Sequence, residues 1–385
     1  MQTTAYFDNA ATSYPKPEVV YSFMDSFYRS YGVNVGRGQH KLAFTAASMV
    51  EETRALLLQL FHSPNRQVVF APSSTEALNV IIQGQDYSDG CNIYISPFEH
   101  NSVTRILHHI EKEKAISVRQ LPVNRNTLQY DLTRMKADFI KNKPHYVIIS
   151  HASNVCGVVA PIFHICEIAK SCGATTIIDM SQTAGLVDVD LNNDCIDYAV
   201  FAGHKTLYGP FGVSGFITKK GAELRPLIFG GTGSDSANQE MPSFLPTRLE
   251  AGSVNVAALA GLNASLKWLN EKTCQVIRGK EEGNRKMLLS ILSAYPNVQI
   301  VGAENAEASI GIVSCVFDGY SPDSIGQVLS DQSVAVRTGL HCSPTAHRFL
   351  GTFPAGTVRF STSYFTSQED FDILDRALGY IEENS

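Results

Sequence analysis

The residues in this sequence that could do chemistry fall in a few short stretches. Lys205 lies in Phe201-Ala202-Gly203-His204-Lys205-Thr206-Leu207-Tyr208-Gly209-Pro210, just after the apolar run 198–201 and before a Gly-Pro turn signal. Such a lysine is either an ordinary exposed loop residue or a partly desolvated, uncharged amine able to bond an aldehyde cofactor such as pyridoxal phosphate. Asp179 closes another apolar run, 175–178, with Gln182 just beyond it. It is a cap or turn residue on one reading, and on the other a carboxylate that keeps a pyridine nitrogen protonated. Ser74 and Thr75 open an apolar helix after the run 68–70, with Ser73 and Glu76 at capping-box spacing. Hydroxyls there cap the helix, and the free N–H groups and helix dipole also form an anion site. Cys342 sits in Arg337-Thr338-Gly339-Leu340-His341-Cys342-Ser343-Pro344. It is a buried free thiol or, with His341 beside it and Arg337 close by, one disposed to react as the thiolate. Arg359, among the β-formers of 357–361, offers its planar fork to a carboxylate or to a structural ion pair.

The elements that must position these residues alternate. Strands are expected at 68–70, 92–96, 146–150, 175–178, 198–201 and 213–218, with helices at 47–60 and 162–170. That alternation implies a largely parallel sheet with right-handed crossovers. Ligands gather at the carboxyl ends of such strands, which would bring His100, Ser74, Thr75 and Lys205 to one rim. Segment 6–12 reads as a loop that other elements pack over, and the glycine-broken stretch 31–40 leaves Arg37 and His40 on irregular backbone. A long irregular stretch, 229–255, is expected to be functional or to lie in a subunit contact. An Ala- and Leu-rich helix then bridges to a second domain, with strands at 310–317 and 334–336 and helices at 323–329 and 368–381. The expected division is a large domain over 15–260 and a smaller α+β domain made of 1–14 and 261–385, which carries the cysteine loop.

With 385 residues, 44% of them hydrophobic, the chain can bury a large core, and its length suits two domains. A net charge of −6 without clustered Lys and Arg argues against nucleic acid and for small-molecule partners. The first residues lack a basic-then-apolar leader and no apolar run is long enough to span a bilayer, so a cytoplasmic protein without membrane association is expected. The eight cysteines are scattered, without zinc-site pairs, so no metal centre is expected and most should be buried thiols in a reducing compartment.

Taken in order, Asp8-Asn9-Ala10-Ala11-Thr12, Ser74-Thr75-Glu76, Glu99-His100, Ser153-Asn154, Asp179 with Gln182, Gly203-His204-Lys205, Glu250-Ala251-Gly252-Ser253 and Arg337-Thr338-Gly339 leading to His341-Cys342 resemble the cysteine desulfurases of the class V aminotransferase group. The resemblance runs over essentially the whole chain, and the compact cysteine loop is similar to that of their second group. It implies a fold-type I pyridoxal phosphate enzyme, α/β, with a mostly parallel seven-stranded sheet between helices. It further implies that Lys205 is the Schiff-base lysine, Asp179 faces the pyridine nitrogen, Gln182 bonds the ring hydroxyl and His100 stacks on the ring. Ser74, Thr75 and His204 would hold the phosphate, joined by Ser253 from the neighbouring subunit of a homodimer with its sites at the interface. Asn154 and Arg359 would bind the substrate carboxylate, with Arg37 and His40 lining the entrance. The implied reaction converts L-cysteine to L-alanine, with L-selenocysteine and a selenocysteine lyase as the alternative substrate and activity. Lys205 takes the Cα proton, and the sulfur is left as a persulfide on Cys342 for an acceptor protein, as in iron–sulfur cluster assembly. Ala202 stands where that group usually has a serine before Gly203, so Thr206 or a water would replace a phosphate donor. Leu340 and Ser343-Pro344 also depart from the usual loop. A related lyase, epimerase or aminotransferase acting on another amino acid, and a catalytically quiet sulfur-carrier scaffold, are the alternatives.

Overall fold

The computed structural model describes residues 4–36, 38–233, 237–302 and 308–384. From the N-terminus the elements are β1 (Ala5–Tyr6), α1 (Glu18–Tyr31), α2 (Lys41–Leu60), β2 (Arg66–Ala71) and α3 (Ser74–Gln83). Next come β3 (Asn92–Ile95), α4 (Asn101–Glu113), β4 (Ser117–Gln120), α5 (Leu132–Lys141) and β5 (Tyr146–Ser150). Then follow α6 (Ile162–Ser171), β6 (Thr175–Asp179), β7 (Tyr198–Ala202), β8 (Ser214–Lys219), α7 (Val256–Lys272) and α8 (Cys274–Leu292). The last are β9 (Val298–Ile300), β10 (Ile312–Phe317), α9 (Pro322–Asp331), β11 (Val334–Ala335), β12 (Arg337–Gly339), α10 (Pro344–Leu350), β13 (Thr357–Ser361) and α11 (Gln368–Glu383).

A seven-stranded sheet of order β2-β8-β7-β6-β5-β3-β4 forms the frame. It is parallel except for β8, which runs antiparallel to both of its neighbours. The central strands read YVIIS and YAVFA with every residue buried, the continuous apolar run that a strand covered on both faces requires. On one face α3 and α4 pack Leu78, Ile81, Val103 and Ile106 against the sheet. On the other, α1, α2, α6 and α7 pack Phe27, Met49, Ile165 and Leu262. A second, four-stranded antiparallel sheet, β12-β13-β10-β9, is backed by α8, α9 and α11 through Leu288, Leu329, Phe371 and Leu374. This is the α/β architecture expected from the sequence, with the smaller unit beside it.

Several boundaries shift for identifiable reasons. Helix α2 begins at Lys41, ahead of the expected 47, because His40 caps it: its Nδ1 accepts from Ala43 N–H at 3.2 Å. Helices α1 and α8 were not anticipated from the apolar pattern. Residue 261 lies inside α7, whose buried face runs from Val256 to Leu269 and joins the main core. The N-terminal strand β1 leaves the large sheet altogether and pairs in parallel with β11, burying Ala5 and Phe7 among the small unit's side chains. Among the described residues no helix is long and apolar enough to cross a membrane, and no group of His, Cys, Asp and Glu could hold a metal ion.

Candidate active site

Strand order decides which side chains meet. Lys205 follows β7, Asp179 ends β6, Asn154 follows β5 and His100 follows β3, and β7-β6-β5-β3 are consecutive in the sheet. With Ser74, at the start of α3, and Gln182, these residues line one narrow cleft at the carboxyl rim. At His100 and Ser102 the cleft meets a groove of ≈ 400 Å³ whose walls include Thr75 and Cys342.

Lys205 keeps part of its surface in the cleft while protein atoms surround its amine. Burial pulls that amine down to about 8, and Arg359 and Arg337 push the same way, against the opposing charge of Asp179. The turn holding Lys205 is clamped by Thr12, from the stretch 8–12 that carries the resemblance, and by Ser13 and Lys16, which the sequence pattern did not single out. Thr12 Oγ1 donates to the His204 carbonyl at 2.9 Å, Ser13 Oγ to the Lys205 carbonyl at 2.8 Å, and Lys16 Nζ to the His204 carbonyl at 2.6 Å. Lys16 is itself pulled down to about 7 by burial. Gly203 allows the chain to pass here, since a Cβ would collide with the Val213 carbonyl. Asp179 is buried, and its Oδ1 accepts from Ser181 N–H at 2.9 Å.

His100 caps α4, its Nδ1 accepting from Ser102 N–H at 3.0 Å. Burial, then the Lys205 charge, pulls this imidazole down to about 4, so the neutral ring carries its proton on Nε2. Before it, Glu99 is wholly buried and accepts from Ser96 Oγ at 2.5 Å, Ser150 N–H at 2.6 Å and Ser150 Oγ at 2.9 Å. Burial pushes Glu99 up to about 7, and its bonds lock the β3–α4 corner to β5.

The small sheet brings cations to the same place. Arg337 and Arg359 are directly opposed on β12 and β13, a like-charge pairing that costs stability and concentrates positive potential. Arg359, 1% exposed, donates to Asp8 Oδ1 at 2.8 Å and to the Asn154 carbonyl at 3.0 Å. Arg337 Nη2 lies 3.6 Å from Cys342 Sγ. His341 and Cys342 both take left-handed φ, 47° and 58°, which for such residues costs roughly 1–3 kcal/mol each and needs support from outside. That support is visible: Asn101 N–H donates to the Cys342 carbonyl at 2.7 Å, and His341 Nε2 pairs with Thr357 Oγ1 at 2.8 Å. Asn154 Nδ2 donates to the His341 carbonyl at 2.8 Å.

Residues 5–374 match the model of the aminotransferase class-V family. The chain belongs to that family. It is similar to a probable cysteine desulfurase of Methanothermobacter thermautotrophicus, 27% identical over 381 residues that cover 97% of this chain and 93% of the relative. A probable cysteine desulfurase of Haemophilus influenzae is 30% identical, with 98% of this chain and 86% of the relative covered. Two further relatives are longer, and the chain spans 55% and 61% of them. Among solved structures, the apo structure of cysteine desulfurase from Thermococcus onnurineus matches with a TM-score of 0.91 at 27% identity, covering 99% of this chain and 95% of that one.

The class-V family uses pyridoxal phosphate, and the cleft fits it. His204 Nδ1 and Thr206 Oγ1 are buried atoms without a partner among the described residues, beside a lysine whose amine is held near neutrality. Unpaired polar atoms of this kind are costly unless a bound group satisfies them. Thr206 or a water is the expected replacement for the serine absent at Ala202. Other expected site residues are not brought to this cleft within one chain. Ser253 is exposed, accepts from Asn34 Nδ2 at 3.1 Å, and lines a separate hollow with Arg54 and Glu250. His40 is exposed at the head of α2, and Arg37 lies outside the described residues.

Proposed function

We propose that this chain is a pyridoxal phosphate-dependent cysteine desulfurase that converts L-cysteine to L-alanine and leaves the sulfur as a persulfide on Cys342. The observation that carries the reading is a thiol pinned between Arg337 and the start of α4, on the groove that meets the Lys205 cleft. The relatives named as cysteine desulfurases support the same reaction. Lys205 would hold the cofactor, with Asp179 at its ring nitrogen, Gln182 at its hydroxyl and His100 against its face. Ser74, Thr75, His204 and Thr206 would take the phosphate. Bound there, the cofactor supplies an aldehyde for the substrate amine and an electron-accepting ring.

The protein's own groups do the rest. Arg359 and Asn154 bind the substrate carboxylate, which neutralises the cation pair across β12 and β13. An amine near 8 is a competent base at neutral pH, so Lys205 takes the Cα proton. The Cys342 thiolate forms an S–S bond to the substrate sulfur as the Cβ–S bond breaks. The electron pair goes to Cβ, which takes up a proton, and Lys205 returns the proton it took to Cα, so that alanine is complete. Ser253, far from this chain's cleft, would reach a phosphate only in a second copy, and Arg37 and His40 would line the entrance in such a homodimer. Phe211, 64% exposed and stacked on His204 at 4.5 Å, is apolar surface a second copy would cover. The persulfide would pass to an acceptor protein.

The test is the visible spectrum of the purified protein, then L-cysteine with assays for alanine and Cys342 persulfide. Lys205→Ala should lose both the cofactor band and all turnover. Cys342→Ala should keep the band and lose cysteine desulfuration. A keto acid without sulfide would instead make the protein an aminotransferase, and absence of a cofactor band would leave a scaffold.

A further inference from the structure

We infer that Ser343, acting through the Asn154 side chain, is a positioning residue for Cys342, setting the backbone turn that aims its thiol and so governing sulfur acceptance separately from the lysine chemistry. The catalytic consequence rests on the desulfurase reading above; the turn itself rests on geometry alone.

Ser343 N–H donates to the Leu340 carbonyl at 2.8 Å, closing a four-residue turn with His341 and Cys342 at its centre. With φ of 47° and 58° there, it has the signs of a primed turn, which favours Gly and Asn at both central positions. His and Cys hold it only if the surroundings over-determine it. Asn154 does this from both sides of the cysteine. Its Nδ2 donates to the His341 carbonyl at 2.8 Å, and its Oδ1 accepts from Ser343 Oγ at 2.7 Å. Hydrogen-bond chemistry leaves one orientation. A carbonyl only accepts, so the amide nitrogen must face His341, its oxygen must face Ser343, and the Ser343 hydroxyl must donate. Ser343 is 0% exposed, which leaves no solvent to substitute for that donor. The carbonyl of Asn154 also accepts from Arg359 Nη1 at 3.0 Å, so one residue ties the thiol-bearing turn to the arginine beneath the cleft.

An alanine at 343 leaves Asn154 Oδ1 buried without its donor and removes one of the two bonds that bracket the cysteine. The turn then relaxes toward conformations with the thiol misaimed, and the aimed population falls about tenfold, the scale of one such bond. Ser343 itself does not line the Lys205 cleft.

In the holoenzyme, Ser343→Ala is expected to lower kcat with L-cysteine about tenfold at unchanged KM, with the cofactor band and its pH titration as in the parent. Alkylation of Cys342 by iodoacetamide, followed by mass spectrometry, should accelerate about tenfold as the half-buried thiol is released. Asn154→Ala should accelerate alkylation equally, and the double variant no further, because both changes break one link. Thr357→Val, which removes the His341 anchor, should act in the same direction and carries the test if Ser343→Ala does not fold. Parent-like or slower alkylation in these variants, or an additive double variant, overturns the inference, as does a Ser343→Ala effect on KM alone. If the parent enzyme forms no alanine from cysteine, the desulfurase reading fails, and the alkylation arms still decide the turn.

Discussion

Replacing Glu281 by glutamine isolates one ionisation that the fold suppresses. Glu281, on α8, is 5% exposed and accepts from the Tyr208 hydroxyl at 3.2 Å, which in turn accepts from Tyr364 N–H at 3.0 Å. Tyr208 is part of the Lys205 turn, its N–H donating to the Lys205 carbonyl at 2.8 Å. Burial pushes the Glu281 carboxyl from the ordinary 4.5 up to about 8. The unfolded chain gives up this proton near 4.5 and the folded chain keeps it until about 8. Between those values the folded state binds more protons, so the stability due to this group, complete below 4.5, falls as pH rises and levels off above about 8. At ~1.4 kcal/mol for each pH unit of that window, the loss is on the order of several kcal/mol. Glutamine keeps the shape and the acceptor but cannot ionise. Parent and variant should therefore melt nearly together near pH 5 and separate up to about pH 8, the variant then higher by roughly 6 °C given an unfolding entropy of ~2.1 cal/mol/K per residue. Glu99, pushed up to about 7, titrates in both proteins and cancels in the difference. The measurement is a series of thermal melts from pH 5 to 9 at saturating cofactor. A separation that does not change with pH, or one in which the parent gains as pH rises, would refute the buried-proton argument.

The depressed Lys205 amine should appear in the apoprotein as a rate of covalent cofactor uptake that rises about tenfold per pH unit and then flattens near pH 8, measured by stopped-flow absorbance. A rate still climbing at pH 10 would mean an ordinary lysine. Glu250→Ala strips Arg54 of a two-pronged partner, 2.9 and 2.7 Å away, where both side chains are almost buried, and frees Phe70 N–H from its bond at 2.6 Å. It should cost about 3–5 kcal/mol and open residues 229–255 to limited proteolysis, whereas parent-like melting and cleavage would place the anchor of that segment elsewhere.

Much of the frame was legible because burial on both faces forces an unbroken apolar run. The runs at 146–150, 175–178 and 198–201 announced central strands, and in a parallel sheet the residues just after them must share a rim. Lys205, Asp179, Asn154 and His100 were therefore readable as neighbours although more than a hundred positions separate the first from the last. Helices α1 and α8 were harder to read, since each buries only a few residues. The reversal of β8 also had no local signal, because a strand's residues do not record the direction of its neighbours.

What the sequence by itself determined is the set of reactive types and the rim that gathers most of them, since both follow from local pattern and sheet topology. Only the tertiary structure decided how Cys342 is held. The opposition of Arg337 to Arg359, the Asn154 bracket around the cysteine and the Lys16 clamp under Lys205 each join segments distant in the chain. Register and buried hydrogen bonding between such segments depend on where whole elements pack, and no local periodicity encodes that.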